Sequence, residues 1–162
     1  MLKHLESKIL KTLFSAHSYE EVAYEINTID NKNQDIGMGM IGELEKEMDE
    51  KHFLKYVKSQ MNTSCIRHSN LINKKIKKVA VLGGSGSFAI GAAKAKNADV
   101  FITADLKYHD FFTAENEILL ADIGHYESEQ YTKNLLVTYL TKKIPNFAII
   151  LSNTNTNPVK YL

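Results

Sequence analysis

The sequence predicts an α/β protein, a largely parallel sheet flanked by helices, with a partial α+β segment at its N-terminal side. Three observations carry that expectation. Four short apolar runs, at residues 79–82, 100–103, 118–121 and 147–151, have the continuous hydrophobicity of strands buried on both faces. Helical patterns fall between them, near 87–96, 107–115 and 125–142. The gaps from strand to strand, roughly 15 to 25 residues, suit parallel crossovers, each of which needs about a dozen residues or more.

Upstream, the elements follow in order. Residues 2–16 set Leu2, Leu5, Ile9, Leu10, Leu13 and Phe14 at helical spacing, the pattern of an amphipathic helix. From 21 to 29, Val22, Tyr24, Ile26 and Thr28 alternate with Ala23, Glu25 and Asn27, which predicts a half-buried strand. Residues 30–35 are a polar turn, and 37–44 read as a second strand loosened by Gly37, Gly39 and Gly42. Phe53, Leu54 and Val57 belong to a short helix, and a weak strand is expected around Cys65-Ile66-Arg67. The division that results is a helix–strand–strand piece over 1–50 and an α/β domain over 51–162. The first piece is small for an independent core, so it should pack on the larger domain or belong to something longer.

Composition narrows the function classes. Of 162 residues, 44% are hydrophobic and 24% charged, which excludes general disorder. Twenty Lys plus Arg against nineteen Asp plus Glu leave a net charge of +1, with no basic excess to indicate nucleic acid or an anionic membrane. Cys65 is the single cysteine, which excludes an internal disulfide framework and a cysteine-rich zinc site. No run approaches the roughly 18 apolar residues of a membrane span, and the first residues carry no apolar h-region. A soluble protein in a reducing, cytoplasmic setting is expected.

If the strands are parallel, three polar segments converge on one edge of the sheet, where α/β folds place their ligands. They are Gly83-Gly84-Ser85-Gly86-Ser87, then Thr103-Ala104-Asp105-Leu106-Lys107-Tyr108-His109-Asp110, then Asp122-Ile123-Gly124-His125-Tyr126-Glu127-Ser128-Glu129. His125 and Glu129 are four residues apart and project from one side of a helix. Continued along that helix, the same side contains Leu136, Tyr139 and Leu140, so the pair is expected to point inward. An imidazole and a carboxylate facing a cleft suit a divalent metal, while spacing alone is also accounted for by a helix-terminal ion pair or a satisfied buried histidine. Asp105 and His109 repeat the spacing. Asp105 stands where a helix N-cap would be, His109 could act as a general acid or base, and Lys107 could neutralise an anionic substrate. The glycine loop resembles a phosphate-cradling turn but lacks the Lys-Ser/Thr ending of a P-loop. His17, with Tyr19, Glu20 and Glu21, is accounted for by a helix end. His4, His52 and His68 have no identifiable partners and read as surface residues.

These segments, taken from Lys77 to Ser87, Ala98 to Asp110 and Asp122 to Glu129, closely resemble the C-terminal half of the dinuclear metal-centre proteins. That family is the NGG-interacting-factor-three-like proteins, often labelled GTP cyclohydrolase I type 2 homologues. Asn155-Thr156-Asn157-Pro158-Val159 is similar to the family's C-terminus, and residues 16–26 resemble part of its inserted PII- or CutA-like domain. The resemblance implies that His125 and Glu129 are two ligands of a two-metal site. Asp105, Lys107 and His109 would line the adjacent cavity, with the Gly83 to Ser87 loop in its wall. It further implies two divalent ions per complete site (zinc, iron, manganese or nickel), a nucleotide or other phosphorylated small molecule as ligand, and a homohexamer.

The chain departs from the family pattern in ways that matter. The family takes its other ligands, a histidine pair and a carboxylate, from an N-terminal half that this sequence does not contain. Ser18 stands where a proline is expected and Ala104 where a glycine is expected. The expectation is therefore a divalent-metal-binding, hydrolase-like protein that carries an incomplete dinuclear site. Its rival is a non-catalytic regulatory or assembly protein acting through oligomer and interaction surfaces.

Overall fold

The structure, a computed structural model, describes residues 3–28 and 36–162. Contacts divide the chain into two compact units, Met1–Ile36 and Gly37–Leu162.

In the first unit, a short 3-10 turn at Lys3–Leu5 leads into helix α1, Glu6–Ala16, as the apolar periodicity predicts. Phe14 meets Tyr24 edge-on, with ring centroids 5.4 Å apart. The strand expected at 21–29 does not form over the described residues 21–28. A strand satisfies its backbone only against a neighbour, and among the described residues of this unit there is none. Residue 29 and the polar turn expected at 30–35 lie outside the described residues, as does Leu2.

The second unit is a five-stranded mixed sheet with helices on both faces. Its strands are β1 (Met40–Asp49), β2 (Arg67–His68), β3 (Lys75–Ser85), β4 (Val100–Ala104) and β5 (Leu119–Asp122), in the order β1-β3-β4-β5-β2. The centre is parallel, with Val79 paired to Val100 and Val100 to Leu119. The edges are antiparallel: Met40 pairs with Val81 on one side and Arg67 with Asp122 on the other. Because β1 runs along β3, the contacts divide at 36/37 rather than at the expected 50/51.

Helix α2, Glu50–Gln60, covers one face through Phe53, Leu54 and Val57, which meet Ile76, Val100, Leu119 and Ala121. Helix α3, Ile90–Ala95, and a 3-10 helix at Tyr108–Ala114 cover the other, where Ala80, Leu82, Phe101 and Leu120 face Ile90 and Ala93. Alternate residues of each central strand thus meet different helices. This is why these strands read as unbroken apolar runs.

Two expectations fail at the C-terminal side. The run at 147–151 forms no strand. β2 already occupies the far side of β5, so no free edge of the parallel centre is left for it, and Ile150 is 87% exposed. The helix expected over 125–142 breaks into α4, His125–Glu129, and α5, Thr132–Lys143. Among the described residues, no helix is long and apolar enough to cross a membrane.

Candidate functional site

Parallel pairing sets the C-terminal ends of β3, β4 and β5 side by side, so the three polar loops do converge on one sheet edge. β3 ends at Ser85, β4 delivers Asp105, and β5 delivers Asp122 and then α4. Asp105 has φ +56°, a left-handed conformation that aspartate tolerates better than most residues. It is not a helix cap. The following 3-10 helix is capped by the Asp110 carboxylate, which accepts the Lys107 N–H at 2.8 Å.

Asp105 instead turns toward α4. Its Oδ2 accepts the Ser85 hydroxyl at 2.7 Å and lies 2.6 Å from His125 Nδ1. On the far side of the same ring, His125 Nε2 is 3.4 Å from Glu129 Oε2. The result is a carboxylate–imidazole–carboxylate line, half-exposed at its histidine (52%). The hydrogen bond to Asp105 raises the pKa of His125 above the ordinary 6.5, with the charges of Asp105 and Glu129 adding to it against desolvation. The same bond, with that from Ser85, lowers Asp105 below 3.8.

The glycine loop forms the wall of this line. Gly84 has φ +69°, and a Cβ there would lie 2.6 Å from Glu129 Oε1 and 3.4 Å from His125 Cε1. Glycine is thus required twice, for the backbone and for the space. Both backbone polar groups of Gly84 are committed to the protein. Gly84 N–H donates to Ser128 Oγ at 2.8 Å, and its carbonyl accepts the Thr103 hydroxyl at 3.0 Å.

His125, Glu129 and Asp105 line a cleft of about 610 Å³ that continues to Arg67, Lys133 and the C-terminal segment. Lys107 and His109 do not line it; His109 lies against Tyr108 and Phe112, with ring centroids 5.2 and 6.3 Å away. The inward stripe expected to continue from His125 is also absent, because α4 ends first. Leu136, Tyr139 and Leu140 on α5 are exposed.

Three contributors were not assigned a role from the sequence. Buried Asp122 accepts the N–H groups of Leu106 and Gly124, both at 3.0 Å, and pairs with Arg67. Buried Glu127 accepts Asn157 Nδ2 at 3.0 Å, which ties the C-terminal segment to α4. The available signal was a carboxylate ending an apolar strand, and a polar Asn-Thr-Asn run closing the chain.

Among the described residues, no group of three or more His, Cys, Asp or Glu side chains is arranged to hold a metal ion. The donor chemistry of His125 and Glu129 fits a divalent cation, but two donors fall one short of the three protein ligands usual in a catalytic zinc site.

The paired shifts predict a titration. With its pKa raised on folding, His125 contributes to stability fully below about pH 6.5, and that contribution is lost as pH rises through the folded value. Asp105 contributes above about pH 3.8 and loses its share as pH falls through its depressed value. The pair is therefore complete between these limits. In NMR titration of the metal-free chain, His125 should titrate above 6.5, and Asp105→Asn should bring its midpoint down. An unchanged midpoint in the variant would contradict the pairing.

The sequence and the fold both resemble those of known proteins. The sequence model of the Duf34/NIF3 (NGG1p interacting factor 3) family matches residues 2–158. A Staphylococcus epidermidis protein named GTP cyclohydrolase 1 type 2 homolog is 36% identical over 166 residues, covering 99% of this chain and 45% of the relative. A Bacillus subtilis protein of the same name is 35% identical over 168 residues, covering 99% and 44%. The crystal structure of a Bacillus cereus protein related to NIF3 superimposes with a TM-score of 0.75 at 35% identity, covering 98% of this chain and 45% of that one. The chain thus spans less than half the length of the curated relatives it matches.

Proposed function

The chain belongs to the Duf34/NIF3 family, and on that premise we propose that its cleft is part of a divalent-metal centre with hydrolase-type chemistry. One observation carries this reading: His125 Nε2 and Glu129 Oε2 stand 3.4 Å apart, with Asp105 behind the ring. Ligand bonds of about 2.0–2.2 Å at a tetrahedral angle set a nitrogen and an oxygen about 3.3 Å apart. A divalent ion therefore suits the two side chains as they stand.

In this reading His125 and Glu129 are ligands. Asp105 is a positioning residue that holds Nδ1–H and leaves the Nε2 lone pair free, the usual arrangement behind a metal-bound histidine. The remaining ligands come from another copy in a homo-oligomer, a hexamer by resemblance. Two such ions, when bound, would activate a water and clamp a phosphoryl or carbonyl group, as in hydrolysis of a nucleotide or phosphate ester. Lys107 and His109 enter only for a substrate that reaches past Asp105.

Elemental analysis of the sizing-column peak tests the assignment. One or two zinc, iron, manganese or nickel ions per chain are expected in the parent and none in His125→Ala. Asp105→Asn should weaken metal affinity by about 10- to 100-fold while keeping both ligands. Equal metal content in parent and His125→Ala, or a metal-free parent after incubation with each ion, would overturn the reading.

A second reading, an assembly protein without catalysis, is favoured by the exposed apolar side chains of α5 and the segment after it, including Leu135, Leu136, Tyr139, Phe147 and Ile150. Self-association in sedimentation equilibrium would support it, and a strict monomer would count against it.

A further inference from the structure

We infer that a second groove, between α2 and residues 64–71, binds a small molecule carrying a polyphosphate chain and an apolar body. The groove has a volume of about 460 Å³ and shares no lining residue with the His125 cleft. β2 separates the two. Successive side chains of a strand point to opposite faces, so Arg67 lines the cleft while Ile66 and His68 line the groove.

One wall is basic. Lys51, Lys55 and Lys58 follow one another at i, i+4 and i+7 on α2 and line the same groove. At about 100° per residue they fall within a 60° arc, roughly, of the helix surface. All three are exposed, and none forms an ion pair among the described residues. No carboxylate lines the groove. The neighbouring ones are engaged elsewhere: Asp49 pairs with Lys75 at 2.8 Å, and Glu50 accepts the N–H groups of Ile72 and Asn73 at 2.9 and 3.0 Å. In a chain of net charge +1, three lysines without a facing acid are a local segregation of charge.

The length of that wall selects the ligand. Lys51 to Lys58 spans about 10 Å of helix at about 1.5 Å per residue, too long for one phosphate and suited to two or three in a row. The floor is apolar, made by Leu54, Ile66 and Leu71. The opposite wall offers Ser64, Cys65 and His68. His68 Nδ1 donates to the Ser69 carbonyl at 2.7 Å.

The walls are held by the protein's own hydrogen bonds. Thr63 Oγ1 donates to the Cys65 carbonyl at 2.8 Å, Ser69 exchanges two 3.0 Å bonds with Leu120, and Glu50 fastens residues 72–73 to the start of α2.

Cys65, exposed and the single cysteine of the chain, reports on the groove directly. The full chain is alkylated with iodoacetamide, a neutral reagent, with and without sodium triphosphate or ATP, in the absence of divalent ions. At ten times the dissociation constant, mass action leaves about one groove in ten free, so alkylation should slow about tenfold. ATP should bind more tightly than inorganic triphosphate by calorimetry, because its base covers the apolar floor.

The triple variant Lys51→Gln, Lys55→Gln and Lys58→Gln, at exposed positions with a residue of similar helix propensity, should weaken binding by at least about tenfold and abolish the protection. The variant His125→Ala should retain it. No protection by either probe, equal protection in the triple variant, or loss of protection in His125→Ala would each overturn the proposal.

Discussion

Replacing Asp122 with alanine should lower the unfolding free energy by about 3–5 kcal/mol, the range for breaking a buried, fully partnered charge. The carboxylate is 4% exposed and serves three donors: the N–H groups of Leu106 and Gly124, and the Arg67 guanidinium. Alanine leaves two backbone N–H groups without this partner, that of Leu106 in the buried interior. Arg67 contributes less to the loss, since its side chain is 56% exposed and can return to solvent. For a chain of this size each kcal/mol shifts the melting temperature by about 2–4 °C, so a fall on the order of 10 °C is expected. Asp122→Asn keeps one carbonyl acceptor and should lose less. The effect also reaches the site, because Asp122 joins the loop after β4 to the turn that starts α4. The NMR resonance of His125 should broaden or shift in the alanine variant. A loss under 1 kcal/mol in denaturant titration, on the order of one exposed contact, would mean that these N–H groups find other partners.

Gly86→Ala should cost about 2–4 kcal/mol, while Gly91→Ala, five residues along, should be neutral or stabilising by up to about 1 kcal/mol. The contrast is first one of space. A Cβ at Gly86 would lie inside the contact shell of Thr103 Oγ1, 3.0 Å from Thr103 Cβ and 3.2 Å from Leu82 Cδ2. Thr103 is fully buried and donates to the Gly84 carbonyl, so it cannot move aside without breaking that bond and disturbing the loop that faces Glu129. Overpacking and a lost hydrogen bond therefore act together. At Gly91 on α3 a Cβ meets nothing within 4 Å, and alanine is the better helix former. Equal stabilities for the two variants would contradict the close approach of the glycine loop to β4.

Much of the candidate site was legible before the fold. The spacing of His125 and Glu129, the convergence of three loops and the family resemblance all come from local runs of residues. What was not legible was which side chain each would meet. Asp105 looked like a helix cap because an aspartate before a helical stretch usually is one; its left-handed backbone instead turns the carboxylate to a histidine 20 residues away. Lys107 and His109 share its segment, yet the 3-10 helix carries them out of the cleft. Arg67, Asp122 and Glu127 gave little signal, because their importance lies in partners 55, 16 and 30 residues distant.

The same physical distinction divides the fold. The helices α1, α2 and α3 and the three central strands follow from patterning alone, because hydrophobic period sets the local conformation of a segment. Strand pairing is different: it needs an available edge, and no window of sequence records one. Residues 21–28 alternate and 147–151 are apolar, yet neither stretch is a strand. A strand was expected at 37–44, and it forms over Met40–Asp49, its extent set by the pairing with β3 from Met40 to Asp49. Helical periodicity likewise ran straight through 125–142, and only the three-dimensional path ended α4 at Glu129. Local sequence therefore set which segments form the helices and the central strands, and which residues could do chemistry. Backbone pairing between distant segments set the sheet's edges and which of those residues meet.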